Sequence, residues 1–258
     1  MSDITVSPAC IRCGLCVKVC PMAIFTLTPA AGKARPQHIE ACIGCGHCLA
    51  NCPVNAISIA GLKLECDVVT EKPCTYDALR SLVRCRRSVR LFMDKTVPKA
   101  DFDELLATTR FAPTARNSRG VHWTIVLDPQ KVQSLSGLTI DWFRQNGVMN
   151  LVRQWENGYD IINRHAPHLV VAHSDDSTAK PVEDAAIALT TFELLANAKG
   201  LGTCWAGFFM TAAYDYAPLH AALELPPGHK VRGALMAGYA AVRPQHIPGR
   251  DSAKTHFI

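Results

Sequence analysis

No stretch of this 258-residue sequence approaches the ~20 consecutive apolar residues that a membrane-spanning helix needs. ALMAGYAAV, between Arg232 and Arg243, is far too short. The N-terminus, MSDITVSPAC, lacks the charged-then-apolar pattern of a secretion signal, so a cytoplasmic location is expected. Charge of one sign is also scarce. With 27 basic and 22 acidic residues the net charge is only +5, too little for bulk attachment to nucleic acid or a membrane, and neither is expected as a partner. No glycine-rich dinucleotide fingerprint follows a strand, and no catalytic triad or pair of acid–base carboxylates stands out. What remains is a chain with 48% apolar residues, long enough for one large domain or two modest ones.

Cysteine is the residue in excess. Eight of the twelve fall in two blocks: residues 10–21 read CIRCGLCVKVCP and residues 42–53 read CIGCGHCLANCP. Both obey C-x2-C-x2-C-x3-C-P, and the second repeats the first at an offset of 32 residues, with CPMAI echoed by CPVNAI. In a chain without a secretion signal, such density argues for metal or redox chemistry rather than a disulfide framework. Two intervening residues let the backbone curl around a small inorganic cube and present three thiolates. The fourth cysteine, turned away by its proline, ligates the other cluster. One cluster is therefore expected on Cys10, Cys13, Cys16 and Cys52, the other on Cys42, Cys45, Cys48 and Cys20. Structural zinc also uses C-x2-C pairs, but it takes four ligands and has no use for a third cysteine at the same step plus a C-P. This segment, residues 1–62, resembles the bacterial two-cluster ferredoxins. It is too small to build much apolar core, so two [4Fe–4S] clusters are expected to hold it folded. His47, between Cys45 and Cys48, either tunes the second cluster or fills an exposed position. Cys66, Cys74, Cys85 and Cys204 show no such spacing; they are either incidental or buried thiols or part of a third metal site.

Residues 63–75 read as a connector, and beyond them the texture alternates between helix and strand. TYDALRSLVRC carries Leu79, Leu82 and Val83 at helical spacing. Pro98 suits a first helical position, with Phe102, Leu105 and Leu106 forming an apolar face behind it. WTIVLD and PHLVVAHS read as buried strands. PVEDAAIALTTFELLANAKG is the strongest helix, with acidic residues in its first turn and Gly200 as a stop. LGTCWAGFF reads as a loop or strand, PLHAALEL as a short helix and KVRGALMAGYAAV as a strand, an α+β layout of helices over a sheet.

The run VRCRRSVRLF, with Arg80 upstream, puts five arginines in eleven residues. On charge alone it could grip a polyanion, decorate a solvated segment or clamp one phosphate. If residues 86–90 are extended, Arg86, Ser88 and Arg90 share one face and Arg87 lies on the other. Guanidinium forks and a serine hydroxyl suit phosphate oxygens. Arg80 and Arg84 fall on the preceding helix, outside that face.

In order, RRSVRLF, PKADFDELLATTRFAPTARNS, PHLVVAHS, the long helix running into GLGTCWAGF, and GYAAVRPQHIPGR resemble the nitroreductase family over residues 76–258. The resemblance implies FMN bound at the interface of a homodimer, in an α+β domain with a mostly antiparallel sheet. It implies phosphate and ribityl contacts from Arg86, Arg87, Ser88 and Arg90. A loop carrying Pro113, Thr114, Ala115 and Asn117 is implied against the partner's flavin, and backbone at Trp205, Ala206 and Gly207 beside the ring. Arg250 matches a late basic residue returning to the phosphate, with Arg243 as a second candidate. The family's Gln-Pro-Trp continuation is replaced by Arg119, Gly120 and Val121, which alters the substrate-facing wall; Arg119 either favours an anionic substrate or is a surface residue. No side-chain catalyst is expected, since the flavin carries the chemistry.

The two halves together imply wiring: an external donor (ferredoxin or NAD(P)H), the two clusters, FMN, then a small nitroaromatic or conjugated acceptor. Reductive dehalogenation or alkene reduction on the same scaffold, an electron-transfer module serving a protein partner, and a redox sensor are the alternatives.

Overall fold

The computed structural model describes residues 3–28, 32–65 and 73–258. Cys66 and most of the expected connector lie outside them. The chain divides into two compact units: Met1–Pro73 with Ala115–Ser118, and Cys74–Thr114 with Arg119–Ile258. Four residues from the later half, among them Ala115 and Asn117, group with the cysteine-rich unit.

In the first unit, β1 (Ile4–Val6) pairs antiparallel with β4 (Ile57–Ile59), and β2 (Phe25–Thr26) pairs with β3 (Arg35–Pro36). Two short helices, α1 (Leu15–Val19) and α2 (His47–Ala50), lie within the cysteine runs and carry Cys16 and Cys48. The duplication is visible in the backbone. Gly14 and Gly46, 32 residues apart, both start their helices at φ +74, a left-handed conformation that glycine adopts without steric cost. Arg12 (φ 63) matches Gly44 (φ 61), and Ala23 (φ 51) matches Asn55 (φ 48). The apolar core is small, built on Ile4, Val6, Ile24, Phe25, Leu49, Ile57 and Ile59, and partly buried cysteines pack against it. That accords with a fold stabilised by what its cysteines bind.

In the second unit, Thr75 caps α3 (Tyr76–Cys85) by accepting from the Ala78 N–H at 3.2 Å. Helix α4 (Lys99–Thr109) starts after Pro98, which occupies the cap rather than the first turn, and buries Phe102 and Leu105. Strand β5 (His122–Val126) leads to α5 (Pro129–Gln145) and α6 (Met149–Glu156). Strand β6 (His168–Ser174) and α7 (Pro181–Ala198) follow, then β7 (Gly202–Trp205), α8 (Gly207–Ala213), α9 (Ala217–Ala222) and β8 (Lys230–Gly238). The sheet order is β5-β6-β8-β7, antiparallel throughout. Every residue of β6 is buried. Leu169 and Val171 face one apolar cluster with residues of α5, α6, α8 and α9, while Val170 and Ala172 face another with residues of α4 and α7. Covering both faces turns the usual alternation into the continuous apolar run that marked this strand in sequence.

Helices α5 and α6 were not anticipated, although Asp128 (accepting from the Gln130 N–H at 2.9 Å) and Pro129 in the first turn form a recognisable start. α5 supplies Ser136 to a buried polar network. Asp160, 1% exposed, accepts from the backbone N–H of Ile162 and Asn163 at 3.0 Å, of His165 at 3.1 Å, and from the Ser136 hydroxyl at 3.3 Å. Asn163 Nδ2 donates to the same hydroxyl at 3.0 Å. Removing the carboxylate would leave several buried donors unpartnered. Asp160→Ala is expected to lose about 2 kcal/mol or more of stability in urea titration, with faster amide exchange at residues 162–165.

A second cluster is aromatic and titratable. His173 Nδ1 lies 2.9 Å from His229 Nδ1 and its Nε2 lies 3.2 Å from the Thr124 hydroxyl, while His122 meets His229 edge-on at 4.8 Å between ring centroids. Burial, then the neighbouring His229 and His122, pushes the His173 pKa down to about 4. The folded state thus favours neutral His173, a contribution fully present above the ordinary 6.5 and lost as pH falls toward 4. All four tryptophans lie in the second unit. Their fluorescence in urea is therefore expected to show a midpoint that falls from pH 7 to 4.5, with a flatter slope in His173→Gln.

Candidate functional sites

The structure gathers each expected quartet around one cavity: Cys20, Cys42, Cys45 and Cys48 line one, and Cys10, Cys13, Cys16 and Cys52 line another. None of the eight forms a disulfide. Backbone N–H groups point at the sulfurs, from Ile24 to Cys20 Sγ at 3.3 Å, Gly44 to Cys42 Sγ at 3.4 Å and Ala56 to Cys52 Sγ at 3.1 Å. Two of these bonds are the same bond repeated by the duplication, from the residue four positions after the C-P cysteine. Sulfur ligands already receiving amide donors are what an iron–sulfur cube requires, so the residues fit the group. Burial pushes the Cys48 thiol up to about 11, so binding metal there expels a proton. His47 opens α2 between two of these cysteines and is exposed.

In the second unit, residues 86–90 run extended beside β7. Ser88 bridges Thr203 in parallel, and the Val89 N–H donates to the Thr203 carbonyl at 2.9 Å. Gly202 permits this approach, since a Cβ there would sit 2.7 Å from a Val89 methyl. The side chains alternate as the extended reading requires. Arg87 and Val89 line a cavity with Asn197, Gly202 and Arg243. On the other face, Arg86 Nη1 pairs with Glu193 Oε1 at 3.3 Å, Ser88 lies by the Cys204 thiol, and Arg90 opens into a larger cavity. Glu193, buried on α7, also accepts from the Thr203 hydroxyl at 3.0 Å. Arg86 is thus anchored inward, and of the expected clamp Arg90 is the residue that lines the cavity.

That cavity, about 390 Å³, is walled by Arg90, Arg164, Trp205, Gly207, Phe208 and Thr211, with Ile161, Ile162, Cys204 and Met236 behind. None of these residues carries a carboxylate. Burial raises the Cys204 pKa, opposed by the charge of Arg90, the Ser88 hydroxyl and the charge of Arg164. Two guanidiniums, a hydroxyl and two aromatic rings around one space suit a ligand that is both aromatic and anionic. Ala206, fully buried, fixes the turn into α8 by donating its N–H to the Ala234 carbonyl at 3.0 Å. Trp205 and Gly207, on either side, face the cavity.

Arg164, Thr211 and Phe208 were missed from sequence. Arg164 carries φ 54 and His165 φ 52, a strained pair held by the Asp160 network, and Arg164 Nη1 donates to the Tyr159 hydroxyl at 2.7 Å. An aspartate followed three residues on by asparagine was the available signal of such a turn. Arg250 is exposed in the irregular C-terminal segment and lines neither cavity. Arg243 lies beside Arg87 instead.

The loop expected near a flavin is divided. Thr114 accepts from the Arg119 N–H at 3.0 Å within the second unit, and Pro113 precedes it. Ala115 and Asn117 belong to the first unit, where Asn117 Nδ2 donates to the Ile43 and Gly44 carbonyls at 3.1 and 3.0 Å.

Both halves of the chain are similar to known proteins. A family model for a 4Fe-4S dicluster domain matches residues 9–56. YfhC of Bacillus subtilis (strain 168), whose name marks it as a candidate NAD(P)H nitroreductase, is 24% identical over 189 residues, covering 70% of this chain and 96% of its own. A nitroreductase with bound FMN from Bacteroides fragilis NCTC 9343 superposes with a TM-score of 0.62 at 25% identity, covering 70% of this chain and 97% of that one. Another from Desulfitobacterium hafniense DCB-2, at 17% identity and a TM-score of 0.58, shares the fold over 70% of this chain and 97% of its own. The nitroreductase family model matches residues 83–239, more than half of the sequence, and with its antiparallel sheet and extended arginine segment the chain belongs to the nitroreductase family.

Proposed function

We propose that this protein is an iron–sulfur flavoenzyme in which electrons from an external donor pass through two [4Fe–4S] clusters to FMN and on to a small nitroaromatic or conjugated acceptor. One observation carries the reading: the same chain holds two cysteine quartets, each around its own cavity, and a separate aromatic, doubly cationic cavity. The clusters would be held by Cys10, Cys13, Cys16 and Cys52, and by Cys42, Cys45, Cys48 and Cys20. FMN would be held by Arg90 and Arg164 toward its anionic part, with Thr211 and Ser88 as neutral donors and Trp205 and Phe208 as apolar walls. Bound there, the flavin supplies the conversion between single electrons and a two-electron reduction. The chain's own residues bind and orient: Glu193 fixes Arg86 and Thr203, and Gly202 lets residues 86–90 lie flat against β7.

The match to a relative named for NAD(P)H nitroreductase supports a nicotinamide as one donor, and the dicluster domain supports a ferredoxin as another. Assembly as a homodimer is supported by α3, whose Tyr76, Leu79 and Val83 stand 77%, 49% and 51% exposed at helical spacing. Among the described residues no helix is long and apolar enough to cross a membrane. Free cysteines in both units accord with a reducing, cytoplasmic setting.

Anaerobic stopped-flow with reduced ferredoxin, NADH and NADPH as competing donors tests the path. Ferredoxin-driven flavin bleaching is expected to vanish in Cys20→Ser; undiminished bleaching would overturn the relay, and absence of flavin from anaerobically purified protein would overturn the reading as a whole. Arg90→Ala and Arg164→Ala are each expected to weaken FMN binding about tenfold or more, the loss of one charge-assisted contact, with iron content unchanged. Fluorescence titration of released flavin and iron analysis measure both.

A further inference from the structure

Within the first unit, the cysteine loop at residues 42–45 is gripped by a side chain from outside the duplicated segment. The Gly44 N–H donates to Cys42 Sγ at 3.4 Å. The carbonyl of that same peptide, on Ile43, accepts from Asn117 Nδ2 at 3.1 Å, and the next carbonyl, on Gly44, accepts from the same nitrogen at 3.0 Å. Both partners are acceptors, so the amide nitrogen of Asn117 must face them. A donor on the carbonyl draws electron density through the peptide and makes its N–H a better donor to sulfur. An N–H on a ligating sulfur stabilises the more negative, reduced cluster and so raises its potential.

Asn117 is held for this contact at a cost. It has φ 52, its neighbour Arg116 has φ 54 and Arg119 has φ 51, three left-handed non-glycine residues within four positions. Such conformations are disfavoured for side chains other than glycine and persist where surrounding structure enforces them. The Ser118 N–H closes the turn on the Ala115 carbonyl at 3.0 Å. The duplication itself does not supply this contact, because Asn117 lies 74 residues beyond Ile43, outside both repeats.

We propose that Asn117 is a positioning residue for the cluster of Cys42, Cys45, Cys48 and Cys20, fixing the Ile43–Gly44 peptide so that this cluster sits at a higher potential than it would on the duplicated loop alone. The two clusters are thereby made inequivalent and the electron path gains a direction. This rests on the cysteine quartet and not on the flavin or the acceptor. The test is a redox titration of the full-length, anaerobically purified protein followed by electron paramagnetic resonance, with the two signals assigned through Cys20→Ser. In Asn117→Ala the reduction equilibrium of the second cluster is expected to fall about threefold or more, where tenfold is about 59 mV for one electron. Asn117→Asp, which cannot donate and adds charge, is expected to shift it further in the same direction. Asn117→Gln, which keeps the donor, is expected to restore part of the shift, and the first cluster's signal is expected to stay in place. Unchanged potentials in the Ala and Asp variants, equal shifts of both clusters, or equal loss of iron from both would overturn the proposal.

Discussion

Val89 donates its N–H to the Thr203 carbonyl and presses a methyl into the space a Cβ at Gly202 would fill, and this short parallel bridge fixes residues 86–90 as an extended strip beside β7. Further along, Met93 donates to the Tyr239 carbonyl at 2.8 Å and Ala241 to the Leu91 carbonyl at 2.9 Å, so the strip is pinned beyond its end as well. Extended backbone alternates its side chains. That alternation sends Arg87 to one cavity and Arg90 to another, and leaves Arg86 on the buried Glu193 carboxylate. A basic run that would otherwise act as one undivided patch is sorted into residues with separate tasks.

The cavity around Arg90 depends equally on groups that never touch it. Asp160 satisfies three backbone amides and a hydroxyl in the interior, and that network holds Arg164 and His165 in left-handed conformations they would not choose alone. Glu193 plays the corresponding part across the sheet by binding Arg86 and Thr203 together. Buried carboxylates persist only when their lone pairs are occupied, so each also specifies the geometry of the groups that occupy them.

In the cysteine-rich unit the organising force differs. Its apolar core is small, and the repeated elements are amide-to-sulfur bonds and left-handed turns recurring at the 32-residue offset. Duplication reproduces these local features because each depends on a few consecutive residues. The grip of Asn117 on the second loop breaks the symmetry from a distance.

The division between what was readable and what was not follows the range of the interactions. The cysteine quartets were legible because ligand spacing is a local, stoichiometric demand, and the crossing of the fourth cysteine belongs to the same spacing. α7 was legible through its acidic first turn and the Gly200 stop, and β6 through a continuous apolar run. The face of residues 86–90 followed from alternation alone. α5 and α6 escaped because their polar and apolar residues mix without a long apolar stretch, although Asp128-Pro129 marked a beginning. The tertiary structure decided the rest: that Arg86 meets a carboxylate 107 residues away, that Arg164 reaches the cavity through a turn held by Asp160, and that Asn117 reaches the Ile43 and Gly44 carbonyls. Sequence by itself determined which chemistries this chain can carry, since ligand type and short spacing are written in consecutive residues. Which arginine faces the cavity, and which amide grips a cysteine loop, depends on chain segments that only folding brings together.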